Sequence, residues 1–286
     1  MGPIVPPRVA WLLVTAFVAA PAFSQQPREQ NSSTLSLFSQ SAAEILQRQY
    51  GKSETSYLLL DAGSGALLAT HWENPNNPIP MGSLVKPFTA LAYAEAHDFR
   101  FPKYVCKGKA NGCWQDRPHG ELNLTSAISL SCNAYFLRLA EGVPTERLVS
   151  IADSFDLDAP KKDATAANLM GLGDEWKIAP LRMARAYLEL VRRKDAPGVA
   201  PIVEGMRQSA LRGTGAAVGR QLKHSAALAK TGTAPCTHSS WAPADGFALA
   251  LVPAQKPEIL LLIRMHSVTG AKAAETAGHM LRDLEE

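Results

Sequence analysis

Much is missing from this 286-residue sequence. No stretch carries the glycine-rich patterns that cradle phosphates or dinucleotides, so the common nucleotide-binding architectures fall away. No run of lysine and arginine occurs. The formal net charge is +3, too little to argue for nucleic acid as a partner. Nothing repeats at a fixed period, as solenoids and propellers would. Cysteine is scarce, with four residues in all. What remains, 46% hydrophobic and 19% charged, is the balance of one large globular domain or two small ones.

The N-terminus carries one apolar run. Arg8 precedes VAWLLVTAFVAA, residues 9–20, which is too short to span a bilayer comfortably and suits the core of a signal peptide. Small-x-small cleavage sites follow at Ala20-Pro21-Ala22 and Ala22-Phe23-Ser24. Residues 1–24 are therefore expected to be an export signal, and losing Arg8 with it leaves a charge of +2. An uncleaved anchor is the alternative, and in either case the domain is exported. No cysteine follows the run, so no lipid attachment site is expected. Residues 25–34 (QQPREQNSST) are polar and expected to be flexible.

Export permits disulfides. Cys106 and Cys113 are close enough in CKGKANGC to pair, whereas pairing Cys132 with Cys236 needs the fold. The spacings of Cys236-Thr-His238 and of Cys113 with His119 are not the two close ligand pairs of a zinc module. No metal or other cofactor is expected. Cys132 and Cys236 read as small buried hydrophobes.

Periodicity orders the rest. Residues 35–50 suit an amphipathic helix, with Leu35, Phe38, Ala42, Ile45 and Leu46 on one side. SYLLLDAGSGALLATHW reads as a β-hairpin turning at DAGSG. Residues 83 to about 220 are mostly helical, broken by loops at 101–119 and 158–165. Strands return in SAALAKTGT, GFALALVP and EILLLIRM, and AKAAETAGHMLRDLEE closes the chain as a helix. The expected fold is α/β of the α+β type. A five-stranded antiparallel sheet is flanked by the N- and C-terminal helices (35–80 and 221–286), with an inserted all-helical lobe (81–220). A site is expected in the cleft between the lobes.

Three short motifs occur in order: Ser83-x-x-Lys86, Ser131-x-Asn133 and Lys230-Thr231-Gly232. Singly each has a bland reading. Ser83 suits an N-cap, Lys86 a solvated side chain, and KTG a turn after a strand. Together they form the set found in serine β-lactamases and penicillin-binding proteins. A serine hydroxyl needs a base to become a nucleophile. Residues three apart share a helix face, so Lys86 is expected to approach the Ser83 hydroxyl. Burial in an apolar helix, the charge of Lys230 and the helix N-terminus would all lower its pKa. Ser131 would relay a proton between Lys86 or Lys230 and the leaving amine. Asn133 would position Lys86 and the substrate amide. Lys230 and Thr231 would meet a substrate carboxylate. The strand through Gly232 and Thr233 would pair with an extended peptide, and the backbone N–H groups of Ser83 and Thr233 would form an oxyanion hole.

The flanks extend the likeness. PMGSLVKPFTALAYAE resembles the nucleophile segment of class B penicillin-binding proteins. HGELNLTSAISLSCNAYFLRLA is similar to their segment holding the second motif. GLGDEWKIAPLRMARAYLEL is similar to their glycine-containing stretch before a helix, and AKTGTA to the third motif. The resemblance spans roughly residues 35–285 and implies a penicillin-binding transpeptidase fold. It implies a D-alanyl-D-alanine-recognising acyl-serine enzyme that needs no cofactor. Such an enzyme acts on the stem peptides of bacterial peptidoglycan in the periplasm, or at the outer face of the cytoplasmic membrane, and is acylated by β-lactams. Only about thirty residues lie between the signal and the first strand, so the domain is expected to stand alone without that family's N-terminal module.

Two other readings share the motifs. A β-lactamase or D,D-carboxypeptidase would hand the acyl group to water. Class A lactamases use a glutamate four residues before an asparagine, and here Ala164 precedes Asn168 at that distance. Class D enzymes usually carry a hydrophobic residue where Asn133 stands. Both comparisons favour slow deacylation. The third reading is a non-catalytic penicillin sensor, or a scaffold for a cell-wall-remodelling partner.

Overall fold

The computed structural model describes residues 1–2 and 28–285. The expected signal segment and its cleavage sites lie outside the described residues, apart from Met1 and Gly2. The chain divides into a unit at Met1–Leu37 and a unit at Phe38–Glu286. The described part of the first is chiefly the opening turns of a helix. The second holds everything that follows. No helix among the described residues is long and apolar enough to cross a membrane.

The described residues form ten α-helices and nine strands. The helices are α1 (Arg28–Tyr50), α2 (Lys86–Ala96), α3 (Leu124–Ser129), α4 (Asn133–Ala140) and α5 (Thr145–Ser154). They continue with α6 (Ala166–Leu169), α7 (Pro180–Arg192), α8 (Ala200–Arg212), α9 (Ala216–Gln221) and α10 (Gly270–Glu285). The strands are β1 (Thr55–Asp61), β2 (Leu67–His71), β3 (Ile79–Pro80), β4 (Tyr104–Cys106) and β5 (Gly120–Leu122). They continue with β6 (Lys177–Ile178), β7 (Leu228–Pro235), β8 (Ala244–Val252) and β9 (Ile259–His266). Helix α1 starts at Arg28, within the segment expected to be flexible. The inserted region is helical except for two short ribbons. One pairs β4 with β5, in part of what the sequence reads as a loop, and the other pairs β6 with β3.

The main sheet is antiparallel in the order β2-β1-β9-β8-β7. Its three central strands are buried on both faces, which explains why they read as continuous apolar runs rather than alternating ones. The period of two still sorts them. Leu58, Leu60, Phe247, Leu249, Leu251, Leu260 and Leu262 join one core cluster with the inserted helices. Tyr57, Leu59, Ala248, Ala250, Leu261 and Ile263 join a second with Ala42 and Leu46 of α1 and Ala273, Ala274 and Ala277 of α10. The second core is rich in alanine, which lets α10 lie close on the sheet. Strand β7 is left as an edge, and its unpaired side borders the inserted lobe.

The alanine-lined contact predicts an asymmetry. Ala277 is fully buried, so Ala277→Leu overfills it and is expected to cost about 1–3 kcal/mol. Glu275→Gln on the exposed side of the same helix should stay within about 0.5 kcal/mol. Urea unfolding of the two variants measures both.

Candidate active site

Ser83 stands in a 3-10 turn, Gly82–Val85, that leads directly into α2. It is not an N-cap, because neither the turn nor α2 has a side-chain cap. The turn is seated on β7 by glycines. Gly82 has φ +57°, and a Cβ there would lie 2.4 Å from the Thr233 carbonyl oxygen. A Cβ on Gly232 would lie 2.7 Å from the Met81 carbonyl oxygen. Both positions therefore admit only glycine without displacing backbone. From the other side the buried Tyr187 hydroxyl on α7 donates to the Leu84 carbonyl at 2.8 Å. The Tyr187 ring packs edge-on against Phe88.

Lys86 and Lys230 are both fully buried. Lys86 Nζ donates to Asn133 Oδ1 at 2.6 Å and to the Ser131 carbonyl at 2.9 Å, and lies 5.3 Å from the Phe136 ring centre. Burial pushes its pKa down to about 7. Lys230 Nζ donates to Ser131 Oγ at 2.9 Å and to the Thr231 carbonyl at 2.7 Å. Burial first, and then the charge of Lys86, hold its pKa well below the ordinary lysine value. Ser131 thus joins the two amines, one through its carbonyl and one through its hydroxyl. It does so from a left-handed backbone, φ +49°, at the break between α3 and α4. For a residue with a side chain this costs on the order of 1–3 kcal/mol.

Above this network opens a cleft of about 480 Å³, lined by Ser83, Ser131, Asn133, Thr231, Gly232 and Thr233, with Trp114, Leu172 and Thr214 among the others. Among the described lining residues none is an aspartate, a glutamate or a histidine. Lys86 makes no hydrogen bond to the Ser83 hydroxyl and donates to Asn133 and Ser131. Lys230 and Thr231 point to different faces of β7. Strand alternation sends the lysine inward with Leu228 and Ala234, and the threonines to the opposite face. Thr231 Oγ1 donates to Thr214 Oγ1 at 2.7 Å, and Thr233 Oγ1 accepts from the Gly270 N–H at 2.9 Å.

The model of one protein family, described as "Penicillin binding protein transpeptidase domain", matches residues 48–284. The chain belongs to this family. No curated protein sequence matches it. Solved structures that share the fold include three penicillin-binding proteins. Against PBP2 of Pseudomonas aeruginosa, solved with WCK 5153, the TM-score is 0.70 at 17% identity, over 87% of this chain and 73% of that one. Against PBP2 of Helicobacter pylori, in complex with MreC, it is 0.71 at 16% identity, over 86% of this chain and 62% of that one. Against the transpeptidase domain of penicillin-binding protein 3 from Burkholderia pseudomallei, it is 0.67 at 15% identity, over 91% of this chain and 96% of that one.

In this transpeptidase domain Cys132 is buried, as the sequence suggests, whereas Cys236 is only partly so. All four are free thiols. Cys106 on β4, Cys113, His119 and Cys132 converge, with their ligand atoms all within 4.8 Å of one another. His119 Nδ1 is 3.5 Å from both the Cys106 and Cys113 sulfurs, and Cys113 Sγ is 3.8 Å from Cys132 Sγ. Three thiols and an imidazole at these separations fit a tetrahedral divalent metal such as zinc, against the expectation of no metal. The set is assembled by the β4–β5 ribbon and the α3–α4 break, which sequence spacing does not display. It flanks the network, because Cys132 lies between Ser131 and Asn133.

Tyr187, Thr214 and Trp114 join the site from outside any motif. Tyr187→Phe keeps the ring and strands the Leu84 carbonyl. It is expected to cost about 1–3 kcal/mol and to lower the melting temperature by several degrees, read by calorimetry.

Proposed function

We propose that this chain is an exported, penicillin-binding acyl-serine enzyme of the D,D-transpeptidase type, acting on D-Ala-D-Ala stem peptides of peptidoglycan. The observation that carries the reading is the pair of buried amines joined through Ser131 beneath the cleft that Ser83 lines. Lys86, neutral above a pKa of about 7, takes the Ser83 proton as the hydroxyl oxygen attacks the carbonyl carbon of the penultimate D-alanine. Asn133 holds Lys86 through its Oδ1, leaving its amide N–H groups for the substrate. Backbone N–H groups of Ser83 and Thr233 receive the developing oxyanion. The carbon–nitrogen bond then breaks. The departing D-alanine amine takes a proton through Ser131, whose hydroxyl is held by Lys230.

The open edge of β7 suits an extended peptide. The terminal carboxylate would be met by Thr214, Thr231 and Thr233, with Lys230 acting from behind through Ser131. The acyl group passes to an acceptor amine, which restores Ser83. A carboxylate able to activate water is missing from the described lining residues, which favours a long-lived acyl-enzyme over hydrolysis.

A fluorescent penicillin tests this. The purified protein should take one label, mapped to Ser83 and lost in Ser83→Ala and Lys86→Ala, and the label should persist for many minutes after a chase. Absence of label, or label unchanged in Ser83→Ala, contradicts the acyl-serine reading. Turnover of a chromogenic cephalosporin at ~1–1000 per second would make the protein a β-lactamase instead. Labelling without stem-peptide turnover would leave a penicillin sensor.

A further inference from the structure

A second group of chemically able side chains lies beyond the end of the strand that borders the cleft. Cys236 directly follows β7, His238 lies in the β7–β8 connection, Asp245 is in the first turn of β8, and His266 ends β9. Sheet register brings them together, because Asp245 is opposite both Ala234 of β7 and His266 of β9. One ligand atom from each lies within 4.8 Å of all the others.

The distances discriminate between a hydrogen-bonded cluster and a ligand set. Cys236 Sγ is 3.7 Å from His238 Nε2 and 3.9 Å from His266 Nδ1. His238 Nε2 is 3.7 Å from Asp245 Oδ2. The two contacts to sulfur are at the long end of weak thiol–imidazole hydrogen bonds, and the imidazole–carboxylate separation is longer than a hydrogen bond. All lie within about half an ångström of the separations, roughly 3.3–3.6 Å, of two ligands sharing a tetrahedral ion with bonds of about 2.0 Å to nitrogen or oxygen and 2.3 Å to sulfur. The one short hydrogen bond of the set is His266 Nδ1 to Asp245 Oδ1, at 2.6 Å, and it would open by less than an ångström. Asp245 is 2% exposed, and a buried carboxylate needs a cation nearby. Asp245 faces His266 and His238, and Arg264, which donates to Ser56 Oγ and lies over the Trp72 ring, acts on it electrostatically without an ion pair. His266 is held in orientation by Trp241, whose ring packs edge-on against it at 5.2 Å.

We propose that Cys236, His238, Asp245 and His266 form a divalent metal site of the zinc class. The mixed sulfur, nitrogen and oxygen donors suit zinc and exclude the all-oxygen preferences of calcium and magnesium. Four protein ligands close the shell, so the site is structural. The ion ties the end of β7, three residues beyond Thr233, to β8 and β9. It thereby fixes the strand that runs along the cleft. This site is separate from the Cys106, Cys113, His119 and Cys132 set, and it does not depend on the acyl-serine reading.

The test uses the full chain and zinc ions alone. Native mass spectrometry should find one zinc fewer per chain in Cys236→Ser/His238→Ala than in wild type, and equal zinc content overturns the proposal. A second readout needs no variant. In wild-type protein, alkylation of Cys236 by iodoacetamide, followed by peptide mapping, should slow at least about tenfold with zinc bound, because the thiolate's lone pairs are engaged. The original rate should return with a chelator. An alkylation rate at Cys236 that ignores zinc overturns the site even if the double variant fails to fold.

Discussion

Removing the ammonium groups of Lys86 and Lys230 from water is the constraint around which this domain is arranged. A lysine in solvent is protonated at neutral pH and cannot act as a base. Here both amines lie within the larger core cluster's territory, with Leu84, Val85, Phe88 and Phe136 closing over the α2–α4 side. Such burial would be ruinous without partners. Asn133 Oδ1, the Ser131 carbonyl and hydroxyl, and the Thr231 carbonyl supply them. The left-handed backbone at Ser131 is part of this arrangement, since that one residue serves both amines from opposite ends.

Backbone contact does the rest. The turn carrying Ser83 is brought against β7 closely enough that Gly82 and Gly232 have no room for a Cβ, and Tyr187 fixes its far side. Ser83, the two lysines and the edge strand are thus held by a packed junction between sheet and helices. The sheet's other face is sealed by alanines against α10. The two metal-fitting clusters extend the same logic to the loops. One adjoins Cys132 in the second motif, and the other lies past the end of β7.

The sequence disclosed the sheet strands, the terminal helices and the positions of the three motifs, because apolar runs and short fixed spacings are local signals. It did not disclose what depends on register and chain crossing. Lys230 and Thr231 are neighbours in sequence and opposite in direction, which strand alternation alone implies. Lys86 meets Asn133, the contact the motif set suggests, and also the Ser131 carbonyl, which only the chain's path between α3 and α4 places within reach. Tyr187 and Thr214 act on the site from 103 and 17 residues away and carry no motif. The spacing of the cysteines and histidines gives no sign of either cluster. Their ligands come from separate strands and loops, and no spacing rule covers them.

The central claim is that burial brings the Lys86 amine to titrate near neutrality, so that it can be neutral in the working protein. Nuclear magnetic resonance of protein labelled at the lysine Cε and Nζ atoms, with the Lys86 signal assigned by its loss in Lys86→Arg, reads the protonation directly. The account predicts a midpoint at about 7, charged below and neutral above. A Lys86 that keeps its proton up to the ordinary lysine value of 10.5 would contradict it.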